Sequence, residues 1–156
     1  MSVDLKSLRT VMGVAITRRD NAGAALVNAR QQLTAAEAQM AQITDYGDQN
    51  QAKWVERAAQ GVTPVLMQHQ RHFMDKIHAA IDFQANVIQQ RQNQVARAAQ
   101  ALLHTEQALA KIQKVEQRTI FGIALKARKA EQKSTDEMAM SMLAHQRRQA
   151  ATEAHP

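Results

Sequence analysis

The stretch Gly61-Val62-Thr63-Pro64 lies between two long segments of helix-periodic sequence. Glycine can adopt the positive φ that ends many helices, because it carries no Cβ. Thr63 followed by Pro64 is typical of a helix start, since the hydroxyl can cap free N–H groups and proline has no N–H at the first helical position. The sequence therefore predicts that the chain reverses here, between two helices.

The composition favours long helices over a wide globular core. Aromatic residues make up 3% of the chain, and Gly 5 and Pro 2 leave few turns for a fold of many elements. We predict an all-α fold, a long antiparallel two-helix coiled-coil hairpin with a C-terminal helical overhang. Its single domain is predicted at 1–148, with helix 1 at about 3–59, a turn at 60–63, helix 2 at about 64–146, and a disordered tail at 149–156.

Apolar or small residues recur at alternating spacings of three and four, which is the pattern of a coiled-coil seam. In the first segment they are Leu5, Leu8, Met12, Ala15, Ala22, Leu26, Ala29, Leu33, Ala36, Met40 and Ile43, broken once by Arg19 and continued in phase by Gly47, Asn50 and Trp54. In the second they are Met67, Met74, Ile77, Ile81, Ile88, Val95, Ala98, Leu102, Leu109 and Ile112, with the polar Gln84, Arg91 and Thr105 at seam positions in between. Polar seam residues should weaken the pair but fix its register. We expect the seam to loosen near the turn, where Gly47 and Asn50 occupy it.

Three residues of the first helix need a structural reason. Arg19 is tolerable at a seam position only if its guanidinium reaches solvent or a carboxylate. Gly13 and Gly23 each cost a helix about 1 kcal/mol relative to alanine. Close approach of a partner backbone would explain both glycines.

The two helices are predicted to differ in length. A hairpin symmetric about Val62 places Leu5 opposite roughly Thr119, so later residues have no intramolecular partner. An isolated helix with an unburied apolar stripe is marginal in water. We interpret residues 123–143 as a partner-binding segment and the last ten or so residues as a frayed tail.

Positive charge collects at the open end of this hairpin. The net charge is +6, which favours an acidic partner: nucleic acid, an anionic membrane surface or an acidic protein cavity. The basic residues expected at the open end are Lys6, Arg9, Arg18, Arg19, Lys111, Lys114, Arg118, Lys126, Arg128, Lys129 and Lys133. We expect an end-on partner of negative potential, and the alternative is a solvated face that only aids solubility.

Catalytic and metal-binding patterns are not found in the sequence. There is no cysteine, no Ser-His-carboxylate triad is visible, and the five glycines are isolated. His69 and His72 could share a metal, but no third ligand accompanies them, so surface histidines are the better interpretation. We expect no enzymatic activity, no catalytic residue, no metal and no cofactor.

Membrane and nucleic-acid functions are also disfavoured. The start Met-Ser-Val-Asp-Leu-Lys lacks a signal pattern, and Val11 to Ile16 is far shorter than the roughly 20 residues of a membrane span. The aromatic residues are too scattered for a base-stacking platform. We expect a cytoplasmic chain with no transmembrane segment and no specific nucleic-acid partner.

Three aromatic residues, Tyr46, Trp54 and Phe73, gather near the predicted turn. Exposed aromatics near a loop are often binding residues. Sealing of the hairpin tip is an equally good explanation.

A family pattern runs through these residues. It comprises Ile43, Asp45 and Tyr46 before the turn, Gly61 in it, Phe73, Ile77, Ala80 and Ile81 after it, and later Glu131-Gln132-Lys133, Asp136-Glu137 and Ala139. Over nearly its whole length the chain resembles the flagellar export protein FliJ family of short antiparallel coiled coils.

The resemblance implies a non-enzymatic, central-stalk-like component of the flagellar type III export apparatus. Such a protein couples the hexameric export ATPase to the FlhA export gate, assists export chaperones, and lies in the cytoplasm against the inner face of the membrane at the flagellar base. The implied gate-binding residues are Gln39, Ile43, Tyr46, Phe73, Ile77 and Ala80. For the ATPase ring we expect basic residues of the open end: Arg9, Arg18, Arg118, Lys126 and Lys133.

The chain departs from the family at two positions. Family members resemble one another in an aromatic residue four after Tyr46 and a histidine four after Ala80, where this chain has Asn50 and Gln84. Two alternatives to a flagellar role remain. One is the equivalent stalk of a virulence-type secretion system, and the other is a generic basic coiled-coil adaptor with weak nucleic-acid affinity.

Overall fold

A computed structural model describes residues 4–154, which form two α-helices. Helix α1 spans Leu5–Ala58 and helix α2 spans Pro64–Glu153. The two helices pack against each other, and the described part of the chain contains no strand, which confirms the predicted all-α two-helix hairpin. The predicted helix start at residue 3 and the tail residues 155 and 156 lie outside the described residues.

The turn has the geometry that its residue types predict. Gly61 has a φ of 97°, and its N–H donates to the carbonyl of Ala58 at 3.1 Å, which closes the last turn of α1. The Thr63 hydroxyl oxygen accepts a hydrogen bond from the Leu66 N–H at 3.2 Å. The first backbone bond of α2 runs from the Met67 N–H to the Thr63 carbonyl. Thr63 is therefore the N-cap of α2 and Pro64 its first helical residue.

Residues 15–108 form one compact unit, which we call the turn unit. Within it the predicted α1 seam is confirmed. The buried or half-buried α1 positions include Ala15, Arg19, Ala22, Leu26, Ala29, Leu33, Ala36, Met40, Ile43, Gly47, Asn50 and Trp54. Arg19 is half-buried, and its Nη2 lies 2.8 Å from Asp20 Oδ1, so its guanidinium reaches a carboxylate as expected.

The seam of α2 in the turn unit agrees with the prediction except at its start. Met67 is 53% exposed, whereas Leu66 is half-buried. Leu66 lies seven residues before Phe73, and seven-residue spacing keeps both on one face of the helix. Ala80 and Val87 continue this half-buried row. The prediction of Met67 was wrong because α2 contacts α1 through two adjacent rows, and at the first turn the Leu66 row is the more buried.

Polar seam residues bridge the two helices of the turn unit. The buried Gln84 donates from Nε2 to the Ala36 carbonyl at 2.9 Å, and Arg91 Nη1 donates to Gln32 Oε1 at 2.9 Å. In each pair the two bonded residues are about equally far from Gly61 in the sequence. The bonds join residues far apart in sequence, so they hold one antiparallel register.

The seam does not loosen near the turn. Gly47 is buried, and a Cβ added there would meet Ile77 Cγ2 at 2.9 Å. Asn50 Oδ1 accepts a hydrogen bond from Gln70 Nε2 at 3.0 Å. The expectation of a weakened seam was wrong because a glycine and an amide pair allow close helix contact without apolar bulk.

Close packing does not explain the glycine at the start of α1. A Cβ on Gly13 would meet nothing within 4 Å, and one on Gly23 would be 4.0 Å from Leu102 Cδ1, an ordinary van der Waals contact. The expected close approach is therefore found at Gly47 and not at Gly13.

The terminal unit comprises residues 1–14 and 109–156, of which 4–14 and 109–154 are described. Leu8 and Leu109 are its buried residues. From Ile123 to Leu143 every residue is exposed, in agreement with a helical overhang. Helix α2 continues to Glu153, beyond the predicted end near residue 146, because its last turns contain neither glycine nor proline.

Candidate partner-binding surfaces

The six residues predicted to bind an export gate all lie in the turn unit, and we call them the aromatic surface. Gln39, Ile43 and Tyr46 come from α1, and Phe73, Ile77 and Ala80 come from α2. Each set has the spacing i, i+4, i+7, which places its members on one face of a helix. The two helices therefore each contribute a short row to this surface.

Tyr46 and Phe73 join the two rows directly. Their ring centroids are 5.7 Å apart with an interplanar angle of 69°, an edge-to-face arrangement. Phe73 is half-buried, whereas Tyr46 is 57% exposed. The half-buried ring of Phe73 therefore supports the exposed ring of Tyr46.

The other members of the aromatic surface are less accessible. Ile43, Ile77 and Ala80 are half-buried, and Ile77 packs at Gly47. Gln39 is exposed, and its Oε1 accepts from Gln84 Nε2 at 3.3 Å. A partner at this surface would contact the exposed Tyr46 and Gln39, and the half-buried aliphatic side chains would lie beneath them.

The two positions at which this chain departs from the family pattern bond within the hairpin. Asn50 is paired with Gln70, and Gln84 is paired with the Ala36 carbonyl and Gln39. Both amide side chains are thus engaged with the facing helix.

Sequence reasoning missed an exposed aromatic residue beside this surface. Phe83 is 69% exposed and follows Ala80 by three residues, so it lies on the outer flank of the same side of α2. The heptad pattern does not predict the exposure of Phe83, because Phe83 does not occupy a seam position. Its only signal is that an aromatic residue is rare in this chain.

The five basic residues predicted to bind an ATPase ring are all exposed: Arg9, Arg18, Arg118, Lys126 and Lys133. Arg18 belongs to the turn unit, and the other four belong to the terminal unit. The structure therefore groups four of the five residues in one unit.

Net charge is distributed unevenly between the two units. The terminal unit carries eleven Lys and Arg against six Asp and Glu, a net charge of +5. The turn unit carries nine against eight, a net charge of +1, and together they give the +6 of the chain. Nearly all of the positive potential therefore comes from the terminal unit.

None of these basic side chains lies within ion-pair distance of a carboxylate in the part of the chain that the structure describes. Within residues 4–154 the one ion pair joins Arg19 to Asp20, in the turn unit. Unpaired surface cations attract anionic partners over roughly 10 Å at moderate salt. The terminal unit is thus suited to electrostatic binding.

Exposed apolar side chains accompany this charge. The larger ones in the terminal part of α2 are Ile120, Phe121, Ile123, Leu125, Met138, Met140, Met142 and Leu143. Such a concentration of exposed apolar side chains on one helix is typical of an interaction site. The terminal unit therefore combines cations with apolar side chains that have no intramolecular cover.

Neither a metal-binding cluster nor a membrane-spanning helix is found within residues 4–154. In that range no group of three or more His, Cys, Asp or Glu residues is placed to hold a metal ion. Neither helix has a stretch apolar and long enough to cross a bilayer within that range.

Comparison with known proteins links the chain to one family. The family model described as "Flagellar FliJ protein" matches residues 5–149, which is nearly the whole sequence. A comparison with curated proteins found no match.

Proposed function

The chain belongs to the flagellar FliJ protein family and is a flagellar export-associated protein, and from this premise we propose that it couples two parts of the export apparatus. One part is the hexameric export ATPase, and the other is the FlhA export gate. The coupling is mechanical, through a central-stalk-like coiled coil with no catalytic activity of its own. The protein also assists export chaperones, and it works in the cytoplasm, peripherally associated with the inner face of the cell membrane at the flagellar base.

The observation that carries this proposal is the asymmetry between the two units. The terminal unit holds a net charge of +5, and its segment 123–143 is exposed along its whole length. A helix that buries none of its side chains gains little from intramolecular packing. Its apolar and basic residues are therefore available to a partner.

We assign the ATPase ring to the terminal unit. Arg9, Arg118, Lys126 and Lys133 are exposed there without a carboxylate partner. Complementary charge steers two proteins together and favours one orientation of encounter. These residues would direct the terminal unit to an acidic opening of the ring.

We assign the gate to the aromatic surface of the turn unit. Tyr46 is exposed and is held in place by its edge contact with Phe73. A rigid aromatic side chain loses little conformational entropy on binding and is a frequent hot spot. Tyr46 would be the anchor, with Ile43 and Ile77 forming the floor beneath it.

The gate assignment is tested by replacing both Tyr46 and Phe73 with alanine. We expect at least about a tenfold loss of affinity for the purified cytoplasmic part of the gate protein, with helicity unchanged by circular dichroism. Val55→Ala is the matched control, because Val55 is similarly exposed and its position nine residues after Tyr46 puts it on the opposite side of α1. Unchanged gate affinity in the double variant would reject the assignment.

The ring assignment is tested by charge reversal. The triple variant Arg118→Glu, Lys126→Glu, Lys133→Glu should reduce stimulation of the export ATPase at low salt. The control is Arg30→Glu, Arg71→Glu, Arg97→Glu, which makes the same charge change at exposed residues of the turn unit. Equal loss in both variants would show that net charge alone, and not the terminal unit, governs the stimulation.

A deletion strain separates the flagellar role from the equivalent role in a virulence-type system. We expect loss of motility and of flagellar export, restored by the wild-type gene. Normal motility in the deletion strain would contradict the flagellar assignment.

A further inference from the structure

Five exposed residues of α2 form a continuous row in the terminal unit, which we call the basic-aromatic row: Lys114, Arg118, Phe121, Leu125 and Arg128. Relative to Phe121 they lie at spacings of seven, three, four and seven residues. Each of these spacings returns to the same side of an α-helix. The row is therefore one face with an apolar centre and cations on both sides of it.

This face carries no carboxylate as far as Arg128, and Glu131, three residues later, forms no ion pair with Arg128. Between Lys111 and Arg128 the one acidic residue is Glu116. It is half-buried, and at about 100° per residue its position five residues before Phe121 turns it well away from the row. The cations of the row therefore act together, without an acidic residue among them to reduce their potential.

Phe121 has no structural role that explains its presence at this position. It is 69% exposed, and phenylalanine is a poorer helix former than the alanine or leucine found nearby. Leu125, one turn later, is exposed as well. A large apolar ring kept in water within a cationic face is best accounted for by a partner that covers it.

We propose that the basic-aromatic row is the face by which the terminal unit binds the export ATPase ring, and that Phe121 enters an apolar pocket rimmed by carboxylates on that ring. This inference rests on the proposed function and specifies its contact. The carboxylates follow from the charges of Lys114, Arg118 and Arg128, and the pocket follows from the exposed ring of Phe121.

A lipid surface is the less suitable occupant. The apolar part of the row is short, because the residues that continue the same face after Leu125 are Arg128 and Gln132. A helix that lies on a membrane needs a long apolar face that the acyl chains can cover. One aromatic residue with one leucine fits a local pocket better.

Two phenylalanines of this chain allow a matched test. Phe83 in the turn unit is 69% exposed, as is Phe121 in the terminal unit. We would measure the affinity of the full-length chain for the purified export ATPase, as wild type, as Phe121→Ala and as Phe83→Ala. We expect roughly a tenfold loss of affinity for Phe121→Ala and wild-type affinity for Phe83→Ala, with equal helicity in all three.

Ionic strength separates the apolar anchor from the cations. Wild type and Phe121→Ala should lose affinity in parallel as salt rises, because both retain the three cations. Arg128→Ala should weaken binding at low salt and make it less sensitive to salt. An unchanged salt dependence in Arg128→Ala would overturn the carboxylate-rimmed pocket.

The remaining outcomes distinguish the inference from the proposed function. If wild type binds the ATPase and Phe121→Ala binds equally well, the inference fails and the proposed function stands. If wild type does not bind the ATPase at all, both fail. If Phe121→Ala binds the ATPase normally but loses binding to vesicles of anionic phospholipid, the row is a membrane contact and the inference is overturned.

Discussion

Ile77 Cγ2 on α2 lies 2.9 Å from the position that a Cβ would occupy on Gly47 of α1. A methyl group attached directly to a β-branched carbon cannot move aside without a change of rotamer or backbone. Only glycine therefore fits this position without rearrangement. Tyr46 precedes Gly47 and contacts Phe73, which lies one turn before Ile77, so the close approach sets the position of the aromatic surface.

Alanine substitutions at two glycines should have opposite effects on stability. Gly47→Ala should lower the free energy of unfolding by about 1 kcal/mol, because the steric conflict with Ile77 exceeds the gain in helix propensity. Gly13→Ala should raise it by about 1 kcal/mol, because its Cβ meets nothing within 4 Å. Thermal or urea unfolding followed by circular dichroism measures both, and stabilisation by Gly47→Ala would contradict the close contact.

The buried amide of Gln84 is predicted to lower the free energy of unfolding while fixing the register between α1 and α2. Its partners are the Ala36 carbonyl, within a helical backbone, and the exposed Gln39, so its removal leaves no buried polar group unpaired. Gln84→Leu should therefore raise the unfolding midpoint, and Gln90→Leu, at an exposed site, should change it little.

A lower midpoint for Gln84→Leu would show that the hydrogen bonds of Gln84 stabilise the hairpin more than apolar packing can. Register is measured separately, from a spin-label distance between labels at Gln31 and Gln92, both exposed. We expect that distance to be single-valued in the wild type and broader in Gln84→Leu.

The cap of α2 should contribute measurably to stability. Thr63→Ala removes the oxygen that accepts from the Leu66 N–H and should cost about 1 kcal/mol of unfolding free energy. Thr63→Ser retains a capping hydroxyl and should remain close to wild type. Equal stability of the alanine and serine variants would mean that Pro64 and the seam start the helix without the cap.

Removal of residues 124–156 should leave the cooperative unfolding midpoint unchanged. The segment from Ile123 to Leu143 buries no side chain, so its helix depends on backbone hydrogen bonds and local propensity alone. We expect the full chain to lose part of its ellipticity gradually at low temperature, before the main transition, and the shortened chain to lack this phase. A single sharp transition for the full chain would show that the segment is stabilised by packing.

Much of the fold could be predicted because its determinants are local and periodic. Thr63 and Pro64 define a helix start by their own chemistry, and seam positions from Ala15 to Trp54 follow a repeat that any coiled coil must keep. Leu66 was missed because its contact depends on the second row of α2, which a single heptad phase does not describe.

The surfaces could be predicted only in part. The family pattern pointed to Tyr46 and Phe73, but their edge contact depends on the register between two helices. The approach of Gly47 to Ile77 is also a property of the pair, so the sequence alone suggested a loose seam. Phe83 and Phe121 do not occupy seam positions. The heptad pattern predicts which residues face the other helix and does not predict which exposed residues bind a partner.

The most direct test of the coupling role is capture of the export ATPase by an immobilised export gate. We expect the ATPase to be retained only when the chain is present. The Tyr46→Ala, Phe73→Ala double variant should strongly reduce retention while still binding the ATPase in solution. Phe121→Ala should strongly reduce retention while still binding the gate. Retention of the ATPase without the chain, or undiminished retention with both variants, would contradict the account.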